Sequence, residues 1–131
     1  MAVPTDQEYS TATIISTNTA VLDEITDNGS SGCTVKIYDS ADTLLSTVPL
    51  TDPPGTVDGG TGQLTLTASG PDTSAAETEY AAYCEIHDAV GTWITRMPCV
   101  LGADAVSERL VLNTLLIVAG APVSILTLTI G

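Results

Sequence analysis

A chain of 131 residues is long enough to bury one hydrophobic core and too short for two of ordinary size, so it reads as a single domain. Only Lys36, Arg96 and Arg109 are basic against 16 acidic residues, and the formal charge of -13 repels phosphate backbones and anionic lipid alike, which argues against a nucleic-acid or membrane partner. With no Phe, one Trp and four Tyr among many Thr, Ser, Gly, Asp and Pro, the composition suits short strands joined by turns.

In chain order, Met1-Ala2-Val3-Pro4-Thr5-Asp6 carries no positive stretch, and the next apolar pair, Ile14-Ile15, is too short for a signal-peptide core, so synthesis in the cytosol is expected. Residues 1–15, polar at the start and holding Pro4 and Tyr9, are expected to form an extended arm, and residues 16–131 the folded domain. Between residues 17 and 29, Ala20, Val21, Leu22 and Ile25 recur at helical spacing, Thr17 or Asn18 can cap the start and Asn28-Gly29 can end it, which predicts one short helix.

From Cys33 the period becomes two, with Cys33, Val35 and Ile37 on one face and Thr34, Lys36 and Tyr38 on the other. Asp39-Ser40-Ala41-Asp42 supplies a turn, and residues 43–50 return as the second strand of a hairpin. Residues 51–62, with two prolines and four glycines, predict an exposed loop before a strand at 63–68. Residues 78–87 alternate, which places Tyr80, Ala82, Cys84 and Ile86 toward a core and Glu79, Ala81, Tyr83, Glu85 and His87 toward solvent. Asp88-Ala89-Val90-Gly91 turns into a strand at 92–100, a loop at Gly102-Ala103-Asp104 leads to a strand at 107–113, and Ala119-Gly120-Ala121-Pro122 precedes a last strand at 123–130. The apolar stretch at 110–130 is broken by Asn113, Gly120, Pro122 and Ser124, and its Thr alternation reads as strands, not as a membrane span. Seven or eight short strands predict a mainly β domain, an antiparallel sandwich of immunoglobulin-like or jelly-roll kind with one short helix near the N-terminus.

No catalytic, cofactor or metal residue is assigned. His87 stands alone as a residue titrating near neutrality, and alternation puts it on the opposite face from Cys84. Cys33, Cys84 and Cys99 lack metal-ligand spacing and read as buried free thiols. The run Asp23 to Gly29 lacks the spacing of a calcium loop, and Gly59-Gly60-Thr61-Gly62 is not followed by Lys and opens a strand, so it is no phosphate loop. Candidate contact residues remain: Tyr9 in the arm, and Tyr83 with Trp93 on neighbouring strands, where Trp93 reads either as a core anchor or as part of an aromatic platform.

Ala20-Val21-Leu22-Asp23-Glu24-Ile25, then Gly32 to Asp39, Thr43 to Leu50, and the ending Leu110-Val111-Leu112-Asn113 to Gly120-Ala121-Pro122-Val123-Ser124-Ile125, follow one another in an order that resembles small tailed-bacteriophage virion proteins, the capsid decoration or cement proteins and related head-associated β-sandwich proteins. Cys33, Pro49, Pro53 and Pro54 depart from the small and polar residues of that pattern. The resemblance implies a non-enzymatic protein on the exterior of a virion, bound to the major capsid protein and acting as a homo-oligomer, with a trimer favoured. The alternative is a tail- or head-associated adhesin-like module that uses Trp93, Tyr83 and the 51–62 segment to hold a host-surface glycan or protein.

Overall fold

A computed structural model describes residues 9–102 and 108–131; residues 1–8 of the expected arm, most of the loop expected near residue 103 and the first residue of the strand expected at 107 lie outside them. Within them, helix α1 (Thr11–Thr26) precedes β1 (Thr34–Tyr38), β2 (Leu44–Val57), β3 (Leu64–Ala68), β4 (Glu79–Tyr80), β5 (Tyr83–His87), β6 (Trp93–Leu101), β7 (Arg109–Leu112), β8 (Leu116–Ile117) and β9 (Thr127–Ile130). Seven strands close into a barrel in the order β1, β2, β3, β9, β7, β6, β5, and β4 pairs with β8 as a separate ribbon. A mainly β domain with one helix is therefore present, but the sheet closes on itself and does not divide into the two layers of a sandwich. Closure depends on β7, which pairs parallel to β6 on one side and antiparallel to β9 on the other.

The second strand departs most from the sequence reading. Residues 51–57, expected within an exposed loop, extend β2, and Pro54 and Gly55 are buried. The prolines are accommodated because the register with β3 shifts between Leu50 and Gly55, so Pro53 and Pro54 occupy a bulge where no ladder N–H is required. Gly55 is needed for the resumed pairing, since a Cβ there would lie 2.5 Å from the Thr65 carbonyl oxygen. The bulge bends a long strand round the barrel, which a flat sandwich strand would not do.

Residues 78–87 form two strands, not one. The break at Ala81-Ala82 sends β4 to β8, leaves Tyr80 63% exposed where a core position was expected, and buries Ala81. Cys84 and Ile86 point inward as the alternation predicts. Strand β8 was not anticipated, because two residues carry no period.

The helix begins at Thr11, six residues before the predicted start, so residues 11–15 of the expected arm are helical. Ser10 caps it, its hydroxyl oxygen accepting from the Thr13 amide at 3.2 Å. The Thr-rich first turns have weak helix propensity, but Ile14, Asn18, Val21, Leu22 and Ile25 form one stripe that packs on the barrel. Ile25 is fully buried beside Cys33, whose thiol donates to the Ile25 carbonyl oxygen at 3.5 Å.

Asn18 anchors this packing. Its buried Nδ2 donates to the Gly62 carbonyl oxygen at 2.7 Å and to the Ile130 carbonyl oxygen at 3.0 Å, tying α1 to the entry of β3 and the end of β9. The backbones approach closely here: a Cβ on Gly62, whose φ is +79°, would sit 2.7 Å from Ile14 Cγ2. Asn18→Ala leaves two carbonyls without their partner, and urea denaturation should show a stability loss of about 1–3 kcal/mol; a loss of only a few tenths would mean that α1 is held by apolar contact alone.

Candidate functional site

Two surfaces stand out, and they are built differently. The first is the outer face of β1, β5 and β6. Cα register places Tyr38 opposite Tyr83 and aligns Lys36, Glu85 and Arg96 in one row across the three strands. The Tyr38 and Tyr83 rings stack at 5.2 Å between centroids and 13° between planes. The Tyr83 hydroxyl donates to Asp42 Oδ1 at 2.7 Å, and this hydrogen bond, with burial second, pushes the phenol up to about 12.

Glu85 lies at the centre of the row. Arg96 Nε approaches its Oε2 at 2.5 Å and His87 Nε2 its Oε1 at 3.0 Å. Burial raises the pKa of the carboxyl, but hydrogen bonds from Arg96, His87 and Tyr38 outweigh that cost and hold it below the usual Glu range. His87 Nδ1 lies 3.0 Å from the Gly91 carbonyl oxygen, so both ring nitrogens face oxygen acceptors. The sequence reading put Glu85 and His87 in solvent; each is 7% exposed, because the outer face of β5 carries this layer of Arg96, Tyr38 and Trp93 side chains above it. His87 is therefore engaged on both sides and is not presented as a base.

Trp93 belongs to the same layer. A bulge between Ile86 and His87 sets Trp93 opposite His87 on the outer face, so it is 49% exposed and not a core anchor, with the Arg96 guanidinium 4.0 Å above its ring. Tyr83 and Trp93 thus share the outer face of the β5–β6 hairpin, at opposite ends of it, and the 51–62 segment forms the end of β2 and the β2–β3 loop. Sequence reasoning missed Tyr38, Glu85 and Arg96 as members. Folding the β5–β6 hairpin about Val90-Gly91 opposes Glu85 to Arg96, a signal that was available.

The second surface is an apolar trough along α1. One groove of about 530 Å³ is lined by Thr17, Ala20, Val21, Glu24, Ile94 and Thr95. Another, of about 320 Å³, is lined by Tyr9, Ile14, Thr17, Asn18, Val21, Glu108, Ile130 and Gly131. The grooves share Thr17 and Val21, so they run on from one another. Tyr9, 62% exposed, stands on this trough and not beside Tyr83 and Trp93.

The remaining reactive groups are withdrawn. Cys33, Cys84 and Cys99 are all buried thiols; mutual hydrogen bonding with Cys99 and then burial push the Cys84 thiol far up, and burial raises Cys33. Asp88 is held below the usual carboxylate range by hydrogen bonds from Asn28 and the turn amides of Thr92, Val90 and Gly91, so its oxygens fasten the β5–β6 turn and the end of α1. Among the described residues no group of three or more His, Cys, Asp and Glu converges as a metal site, and no helix is long and apolar enough to cross a membrane. No protein-family model, curated protein or solved structure matches the chain.

Because the Glu85 carboxyl is depressed in the folded chain, its contribution to stability is complete above the ordinary Glu value of about 4.3 and is lost as pH falls through the lower folded value. Glu85→Gln should therefore cost about 1–3 kcal/mol near neutrality. In denaturation series from pH 7 to pH 3, the gap between the two proteins should narrow only below about pH 4.3; a gap independent of pH would remove the carboxylate from this role.

Proposed function

We propose that this chain is a non-enzymatic structural protein of a tailed-phage virion, a capsid decoration or cement protein that binds the head shell formed by the major capsid protein and stabilises it from the outside, working as a homo-oligomer with a trimer favoured. The observation that carries the reading is the trough along α1: an open, apolar surface whose titratable lining groups are Tyr9, Glu24 and Glu108, suited to contact and devoid of a paired nucleophile and base. The withdrawal of His87 and the three cysteines into internal bonds supports the same reading.

The mechanism is mass action. A protein that binds only the assembled shell stabilises it by RT ln(1 + [L]/Kd), about 2.7 kcal/mol per site when free protein stands at a hundredfold excess over Kd. Repetition over a symmetrical shell multiplies a modest site energy. The formal charge of -13, carried outward, keeps finished particles apart.

Heads purified without the protein should bind it saturably in co-sedimentation and resist heating better once coated. Ala20→Glu, an exposed trough position where Glu suits a helix, should keep the melting temperature and weaken head binding about tenfold or more. Failure of the wild-type chain to pellet with heads at any concentration would sink the proposal.

A further inference from the structure

Strands β3 and β9 are tied at both ends of their common border and part between the ties. At one end Leu64 and Thr65 pair with Ile130 and Thr129. At the other, Asp72, just past β3, bridges Val123, just before β9, with amide-to-carbonyl bonds of 2.9 and 2.8 Å. Among the described residues, Leu66 and Ala68 between these ties have ladder partners on β2 alone, and Thr127 and Leu128 on β7 alone. A slot of about 250 Å³ lies between the two strands there. Leu66 and Leu128 are buried beneath it, and Thr65, Thr67, Leu126 and Thr127 are exposed along its rim. We infer that this slot is a docking site for an extended, uncharged peptide segment of another protein, which adds as a short strand between β3 and β9. Val123 and Thr129 lie about 20 Å apart along an extended chain, which limits the added strand to about four or five residues.

Two facing strand edges determine the chemistry of the guest. A strand edge presents N–H and C=O groups to its open side, and an extended peptide answers them at the strand repeat. Edges are ordinarily paired, covered or charged, yet neither wall of this slot carries a charged side chain. Both walls are fixed from behind. The Ser69 amide donates to the Pro49 carbonyl oxygen and the Leu126 amide to that of Val111, each at 2.9 Å, so the edges are set before a peptide arrives and little ordering cost is left. Alternation assigns the two sides of the guest. Its inward side chains meet Leu66 and Leu128, and its outward ones stand among threonine hydroxyls, which suits residues of the valine and threonine kind. Asp72 at one tie is engaged by Ser46, Thr47 and Ser74, while Arg109 stands opposite Thr129 at the other. At longer range the formal charge of -13 repels acidic segments. A second copy is a poor donor, because each of its seven barrel strands already has a neighbour on both sides.

The slot shares no lining residue with the α1 trough, and its test contains no heads, so it stands or falls separately from shell binding. The probe is a capped peptide of alternating threonine and valine with a lysine at each end, titrated into the full chain while backbone amide shifts are followed. Shifts at Thr67, Ala68, Leu126 and Thr127 should saturate with a Kd below about 1 mM. The same peptide N-methylated along its backbone keeps every side chain and loses its amide donors, and should bind about tenfold more weakly or worse. Thr67→Tyr, which keeps a strand-favouring residue and puts a ring over the slot, should weaken binding to the same degree while the thermal transition is retained. Leu126→Lys, at a rim position 53% exposed, supplies the second variant should Thr67→Tyr lose stability. No saturable shift at about 5 mM peptide, equal binding of the N-methylated peptide, or binding unmoved by both variants would overturn the inference. So would shifts at the slot that appear when the protein alone is concentrated, since these would place a second copy there.

Discussion

The carboxamide of Asn18 is the constraint on which the arrangement depends. Strand β9 ends at Ile130 and β3 begins at Leu64, and their pairing covers only Leu64 with Ile130 and Thr65 with Thr129. A barrel joined by so short a ladder needs another element across that junction, and a helix supplies it only if the carbonyls at the strand ends find donors. One buried side chain meets two of them, at Gly62 and Ile130. With α1 fixed there, Ile25 reaches the core beside Cys33, and the seam between the helix and the barrel is left open as the trough along Ile14, Thr17 and Val21. The trough is thus a by-product of how the barrel is closed.

The outer layer on β5 follows a different logic. A carboxylate buried under other side chains is costly unless its oxygens are bonded, and Glu85 meets that cost with Arg96, His87 and Tyr38. The same bonds set the positions of Arg96 and, through it, of Trp93. A face of mutually bonded aromatic and charged side chains results. His87, the residue whose ordinary titration lies nearest neutrality, is held by the same layer, with one ring nitrogen on Glu85 and the other on the Gly91 carbonyl oxygen.

How much of this was legible depended on whether a local pattern was sufficient. The β1–β2 hairpin and the inward set Val35, Ile37, Cys84 and Ile86 followed from strict alternation, because a half-buried strand imposes its period directly. The β5–β6 turn was legible for the same local reason: Asp88 supplies its own acceptors to Val90 and Thr92. The extension of β2 through Pro53 and Pro54 was not, since proline is a breaker unless a bulge removes the need for its N–H, and a bulge is set by the partner strand. The start of α1 was hidden by β-branched residues whose poor propensity is overridden by packing of Ile14 and Asn18. Exposure of Trp93 arises from a one-residue bulge that changes the face of the side chains beyond it on β6, and burial of Glu85 and His87 from side chains of the neighbouring strands that lie over the outer face of β5, neither of which a single strand's alternation reports. Barrel closure was the least legible feature, because β6 to β7 is a parallel pairing that no local signal announces.

Shell binding, as proposed, runs through the trough along α1. Hydroxyl-radical footprinting of the full chain, free and bound to purified heads, tests it most directly. Labelling of Tyr9, Ile14, Val21 and Ile94 should fall on binding while Tyr80 and Val118 on the β4–β8 side stay reactive. Identical labelling with and without heads, or protection confined to the β4–β8 ribbon, would contradict it.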